Sequence, residues 1–259
     1  MGISIYDADS FVYRIGHTAD LYPEPHKVYK TFLRTAIEKL RKVANKTFTV
    51  NEEHFYITSS DRSNFRFDVD HLYKANRAKN KKPTMYNQLR QQLIDEYGAE
   101  ICSGMEADDK VSIEMWKIYR ANKRNKIALL FSADKDCRII PGLKHETRDG
   151  PVYETHMPGV LNIYRGGKGR YVWGNGLKWF YYQMLAGDEI DNIKPELGLS
   201  PFKCYELLNY HTEEKDMCAT VWEQYRKAGK DVAHFVKMGQ LLWLMTEEDE
   251  PLWTPPILI

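Results

Sequence analysis

Two short stretches, Gly104-Met-Glu-Ala-Asp-Asp109 and Ser132-Ala-Asp-Lys-Asp136, carry five carboxylates: Glu106, Asp108, Asp109, Asp134 and Asp136. The chain between them reads as one helix and one strand, and the apolar run Ile127-Ala-Leu-Leu-Phe131 leads straight into the second group. Like charges about 4 Å apart repel by roughly 4 kcal/mol at an effective dielectric near 20. A fold that gathers five of them needs a compensating charge. Hard divalent cations with oxygen ligands are the usual solution, and Mg²⁺ in particular is held by a few carboxylates plus water and substrate phosphate.

Upstream, Ile3-Ser-Ile-Tyr6 reads as a buried strand ending at Asp7, and His54-Phe-Tyr-Ile-Thr58 as a second, ending at Ser59-Ser-Asp61. Helical spacing of Val28, Phe32, Ile37, Leu40 and Val43 predicts a helix from Pro25 to about Ala44. Residues 65–70 read as irregular. Pro83 opens a predicted helix to about Tyr97, since proline suits a first turn. Glu100 to Cys102 reads as a short strand, Glu106 to about Asn122 as a helix, and Leu143 to Glu154 as a hairpin turned at Asp149-Gly150. Strands alternating with helices predict an α/β fold with a mostly parallel central sheet. In such sheets the site lies beyond the carboxyl ends of the strands. Asp7, Asp61 and Asp134 each follow a different predicted strand, so they are expected at one edge.

The texture changes after Tyr164. Arg165-Gly-Gly-Lys-Gly-Arg170 and Gly174-Asn-Gly176 read as a basic loop or hairpin tip. A helix from Leu177 to Ala186, the loop Gly187-Asp-Glu-Ile-Asp191-Asn-Ile193 and a helix from Pro201 to Leu208 follow. The tail is predicted helical from about Asp216, broken near Gly229, and extended over 251–256. The expected division is residues 1–164 and a helical part, 165–259, packed on them.

At 259 residues the chain can bury a full core. Hydrophobic content of 43% with 28% charged residues places it among soluble globular proteins. A net charge of +1 excludes a uniformly basic surface, but the signs are segregated along the chain. The four cysteines (102, 137, 204 and 218) form no CxxC pair and suit no zinc pattern, so reduced thiols in a cytosol are expected. No long apolar stretch or signal peptide is read, so no membrane partner is expected.

Each acidic motif has a bland reading. Ser103 and Glu106 fit a capping box, and acids in a first turn meet the helix dipole favourably. Ser132 to Asp136 could be a polar turn, and Asp188 and Asp191 in Gly187-Asp-Glu-Ile-Asp191 a pair of N-caps. These three motifs together with the strand-end Asp7, in that order along the chain, are hard to explain as four unrelated caps. The basic stretch 74–82, with Lys74, Arg77, Lys79, Lys81 and Lys82, could be a solvated face. Next to an acidic metal pocket it also suits a phosphodiester, because phosphate contacts dominate nucleic-acid affinity. Tyr73 and Tyr86 could stack bases or pack in the core. His17 and His145 read as surface residues.

These residues resemble the 5′-nuclease superfamily of flap endonucleases and 5′→3′ exonucleases, which has a PIN-like catalytic fold. Within it they are most similar to the 5′→3′ exonucleases of T7-like bacteriophages. The resemblance rests on Tyr73-Lys-Ala-Asn-Arg77 followed by Lys81-Lys-Pro83, on Ser132-x-Asp-Lys-Asp136 followed by Ile140-Pro141, and on Gly239-Gln240 with the apolar run behind it. It implies a metal pocket of Asp7, Glu106, Asp108, Asp109, Asp134, Asp136, Asp188 and Asp191, with Asp61 as an additional early acid. It implies two Mg²⁺ ions, with Mn²⁺ able to substitute, and an arch over about 73–97 in which Lys74 and Arg77 contact the scissile phosphate. Tyr73, Lys79, Lys81 and Lys82 would line the path of DNA. The implied substrate is duplex DNA with a 5′ end or 5′ flap, or an RNA–DNA hybrid. The implied setting is a monomer in the host cytoplasm serving phage replication and recombination.

The family's glycine-rich turn grips duplex through backbone amides and a K⁺ ion. Here Gly198-Leu-Ser-Pro-Phe-Lys203 stands in its place, with Gly198, Ser200 and Lys203 matching and the second glycine missing. Duplex contact is expected there, and K⁺ stays open. Two other readings stay open too. Asp7-Ala-Asp9 with Gly187-Asp188 resembles a haloacid-dehalogenase-like phosphatase. A non-catalytic nucleic-acid-binding protein is the other.

Overall fold

The structure is a computed structural model that describes residues 2–61, 63–121, 127–146, 150–167, 169–250 and 252–257, with Ala78 and Lys79 by backbone alone. The order of elements is β1 (Gly2–Asp7), α1 (Asp9–Ala19), α2 (Pro25–Thr47), β2 (Val50–Thr58), α3 (Arg66–Val69), α4 (Tyr86–Tyr97), β3 (Glu100–Cys102), α5 (Ala107–Ala121) and β4 (Ala128–Phe131). Then follow β5 (Gly142–His145), β6 (Val152–Thr155), β7 (Leu161–Gly166), β8 (Gly169–Gly174), α6 (Gly176–Ala186), α7 (Pro201–Leu208), α8 (Glu214–Lys227) and α9 (Val232–Leu242).

Among the described residues the main sheet runs β3-β2-β1-β4-β5-β6. All pairs are parallel except β5 with β6. The expected α/β class with a mostly parallel sheet is what forms. The order reverses between β1 and β4. Connections leave these two strands in opposite directions, which opens a crevice at their carboxyl ends.

Both faces of the sheet are covered, so the strands are apolar on both sides. Tyr6, Phe55, Leu129 and Phe131 face α1, α2 and α4. Tyr6 stacks on Phe55 and Phe131, with ring centroids 4.1 and 4.8 Å apart. Ile5, Tyr56 and Leu130 share the opposite core with Val111 of α5, Phe180 of α6 and Leu241 of α9. That core joins the two expected parts, and a boundary at 164/165 would fall inside β7.

Several expectations are corrected. α1 was not anticipated, although Phe11, Val12, Ile15 and Ala19 give it a buried stripe. Residues 66–69, read as irregular, form α3. The helix expected from Pro83 starts at Tyr86, and its Leu89 and Leu93 are fully buried. α4 therefore belongs to the core and not to an arch. Residues 73–82 run along the site, with a 3₁₀ turn over Ala75–Lys79, and Tyr86 at the start of α4 also lines it. This span is fixed at its far end: a Cβ on Gly16 would fall 2.4 Å from Pro83 Cβ, so proline seats directly on α1. His145, expected at the surface, is buried edge-on to Phe131. The turn at Asp149 lies outside the described residues. All four cysteines are buried and free. No helix among the described residues is long and apolar enough to cross a membrane.

Candidate metal centre

A cleft of about 730 Å³ opens at the β1/β4 crevice, lined among others by Asp7, Asp9, Glu106, Asp108, Asp134 and Lys74. Asp7 ends β1 and is buried, and its Oδ2 accepts from the Ser132 hydroxyl at 2.7 Å. Burial, helped by the charge of Asp9, pushes its carboxyl up to about 7. Ser132 also accepts from the Asp134 amide at 3.0 Å, and Asp134 Oδ1 from the Asp136 amide at 2.9 Å. The turn after β4 thus folds around its own side chains, which leaves its carboxylates at the cleft.

The turn before α5 is held from outside. The Ala107 amide donates to Thr58 Oγ1 at 2.8 Å, and the Glu106 amide to Asp109 Oδ2 at 3.1 Å. The capping box expected from Ser103 does not form; the Ser103 hydroxyl instead meets that of Ser63. Asp108 faces the cleft with a buried Oδ1 that has no hydrogen-bond partner. Burial, then Glu106 and Asp109, push its carboxyl up.

A second group lies beside the first. Oxygens of Asp136, Asp188 and Asp191 come within 4.8 Å of one another. Burial and the neighbouring acids Asp134, Asp188 and Asp191 raise the Asp136 carboxyl. The loop carrying Asp188 and Asp191 is pinched by paired backbone bonds between Asp188 and Ile193, both 2.7 Å. Lys135 Nζ lies 2.6 Å from Asp188 Oδ2. Lys74 bonds to Glu106 and lies 3.5 Å from Asp191, and Arg77 bonds to Asp191. Burial alone would raise Glu106, but Lys74 and Arg66 hold its carboxyl below the usual range. Lys74 reaches this position in the left-handed region, φ +53°, at a cost of about 1–2 kcal/mol for a non-glycine residue.

These donors fit a divalent cation. All are hard oxygens, which suits Mg²⁺, Ca²⁺ or Mn²⁺. A buried carboxylate oxygen without a partner is costly, and a cation removes that cost.

The structure does not bring every expected acid here. Asp61 is exposed, and its Oδ1 accepts from the Ser63 amide. Asp109 is fully buried behind the cleft and takes both guanidinium nitrogens of Arg66, at 2.6 and 2.8 Å. Two further residues bear on the site: Asp9, named from the sequence only for the phosphatase reading, and Arg66. Asp9 lines the cleft, with its Oδ2 on the Thr58 amide and Arg90 at 3.5 Å. Arg66 was hidden in a stretch read as irregular.

No family model and no curated protein matches the sequence. Solved structures do match. A zinc-bound T5 5′-exonuclease is 14% identical, with a TM-score of 0.58 over 93% of this chain and 89% of that chain. The flap endonuclease D15 of bacteriophage T5, in a pseudo-enzyme–product complex with DNA and metal ions, gives the same figures. The T5 D15 protein co-crystallized with metal ions reaches a TM-score of 0.60 at the same identity and coverage. The fold is that of the 5′-nucleases.

On this 5′-nuclease fold the expected DNA contacts divide. The Tyr73 ring is buried, and its hydroxyl lies 2.8 Å from Glu106 Oε2 and 2.9 Å from Asp191 Oδ2. It braces the acids and is not free to stack on a base. Lys81 and Lys82 are exposed, with Lys82 Nζ 4.3 Å from the centre of the Tyr86 ring. The Lys79 side chain lies outside the described residues. Ser200 caps α7, its hydroxyl oxygen accepting from the Lys203 amide at 3.2 Å. Gly198 sits at φ +62°, and the Lys203 side chain is exposed beside Glu206.

Proposed function

We propose that this protein is a divalent-metal-dependent 5′-nuclease that hydrolyses DNA phosphodiesters from a 5′ end, as exonuclease or flap endonuclease. The observation that carries the reading is the convergence of acids from two strand ends and one helix start in a single cleft, with the acid cluster of Asp136 and the 188–191 loop beside it. Asp7, Glu106, Asp108 and Asp134 would hold one cation, and Asp136, Asp188 and Asp191 a second. Bound cations of this kind supply an activated water and neutralise the leaving oxygen. Mg²⁺ is the natural ion, with Mn²⁺ as substitute.

The chain's own part is to place the phosphate. Lys74 and Arg77, which neutralise Glu106 and Asp191, stand at the mouth of the cleft and would meet the scissile group. Lys81 and Lys82 would follow the 5′ strand, and Gly198, Ser200 and Lys203 the duplex. Reading of backbone alone would extend activity to RNA in RNA–DNA hybrids. A monomer acting in phage DNA replication and recombination is the corresponding setting. The phosphatase reading would need Asp9 as its acid/base and leaves Glu106, Asp108, Asp134 and Asp136 without a role, which favours the nuclease.

The test uses duplex DNA labelled at the 5′ end, with and without a single-stranded 5′ flap, in Mg²⁺ and in EDTA. A labelled mononucleotide or short oligomer formed only with Mg²⁺ is expected, and its length separates exonuclease from flap cutting. Intact DNA under both conditions refutes the nuclease, and loss of only the terminal phosphate favours the phosphatase.

A further inference from the structure

Arg66 is 1% exposed, and a guanidinium out of water is tolerated only when its donors are used. Arg66 spends them on two parts of the chain far apart in sequence. Nη1 and Nη2 donate side by side to Asp109, while Nε donates to the Leu241 carbonyl at 3.1 Å and Nη2 to the Trp243 carbonyl at 2.7 Å. The Met245 amide donates to Asp109 Oδ1 at 3.2 Å. Asp109 in turn holds the Glu106 amide. The end of α9 and the turn that begins α5 are therefore tied through one side chain.

Asp108 shows what the tie controls. Its Oδ1 has no hydrogen-bond partner, so that oxygen is aimed by the backbone of 106–109. That backbone has two fixed points: Ala107 on Thr58, and Glu106 on Asp109, which Arg66 grips. Arg66 Nη1 also lies 3.6 Å from Glu106 Oε2.

We propose that Arg66 is a positioning residue of the candidate metal centre, clamped between residues 241–245 and Asp109 so that it aims Asp108 and Glu106 into the cleft. The inference rests on the metal-centre reading above. Lysine at this position keeps the charge but lacks the planar fork, so Arg66→Lys separates geometry from electrostatics. Asp109→Asn breaks the same tie from the other side.

The experiment is a Mn²⁺ titration of the full chain, with free Mn²⁺ read by electron paramagnetic resonance below the melting temperature of every variant. Leu33→Ala is the control: it lies fully buried in the core on the other face of the sheet and destabilises without touching the cleft. Arg66→Lys and Asp109→Asn are each expected to weaken Mn²⁺ binding by roughly 10- to 100-fold, the usual effect of losing a partner that orients a ligand. Leu33→Ala should bind as the wild type does. If the two tie variants lose no more affinity than Leu33→Ala, Arg66 is a structural staple and the inference falls. If the wild type itself binds no Mn²⁺, the metal-centre reading falls first and takes the inference with it.

Discussion

The strand side and the loop side of the cleft carry similar acids but neutralise them differently. On the strand side, Asp7 receives a neutral hydroxyl and Asp108 Oδ1 receives nothing, and both carboxyls are raised by burial. On the loop side, Asp188 and Asp191 already face Lys135, Lys74 and Arg77. Asp7 and Asp108 depend on a charge from outside to ionise, although Glu106 beside them is neutralised by Lys74 and Arg66, whereas Asp188 and Asp191 are held by charges of the chain itself. Coulomb attraction at effective dielectrics near 20 is worth a few kcal/mol per close pair, enough to hold a loop but not to remove the need for a metal.

The largest test removes the strand side. Asp108→Asn or Asp134→Ala should bring cleavage of 5′-labelled duplex down to the level seen in EDTA, with gel-shift affinity for the duplex little changed. Near-normal turnover would sink the assignment. Lys74→Ala should slow cleavage by on the order of 10²-fold, comparable to losing one charge-stabilising donor. Its melting temperature in EDTA should also fall, because Glu106 and Asp191 lose a partner, and Mg²⁺ should restore it. Unchanged rates would make the loop-side cations purely structural.

A smaller effect follows from Asp7. Its folded carboxyl is raised to about 7, against roughly 4 in an unfolded chain. The folded state holds a proton that the unfolded state has released, so this share of stability is full below about 4 and lost as pH rises through about 7. The metal-free melting temperature should fall across that window, and Asp7→Asn should flatten part of the slope. A slope identical in Asp7→Asn would place the uncompensated charge elsewhere. Smallest of all, Lys203→Ala should weaken duplex binding severalfold and reduce the salt slope by about one. An unchanged slope would move the duplex off the 198–203 turn.

Much of this was legible in the sequence because strands announce themselves by apolar runs, and an acid directly after a run falls at the sheet edge. Asp7 and Asp134 are placed that way, and the 188–191 loop by its Gly-Asp-x-x-Asp spacing after a helix. What was not legible depended on partners distant in the chain. Asp108 and Asp109 are neighbours with the same side chain, yet one faces the cleft and the other is locked to Arg66. Nothing local separates them, since the difference is made by residues 241–245. Asp61 failed for the opposite reason: three residues past its strand, it turns back on Ser63 in solvent. Pro83 suits a helix start in the sequence, yet its ring seats against Gly16 and α4 begins at Tyr86.

That contact between Pro83 and Gly16 sets a gauge. The chain from 74 to 82 is moored at both feet, by Tyr73 in the cleft and by Pro83 on α1. At about 3.4 Å per residue it has roughly 30 Å of contour, so a loop standing clear of the surface can rise only about 15 Å. Within that limit the side chains of Asn76 and Arg77 tie the span to the 189–191 loop. Inserting residues between Asn80 and Pro83 would lengthen the span while leaving the bonds of Asn76 and Arg77 to the 189–191 loop in place.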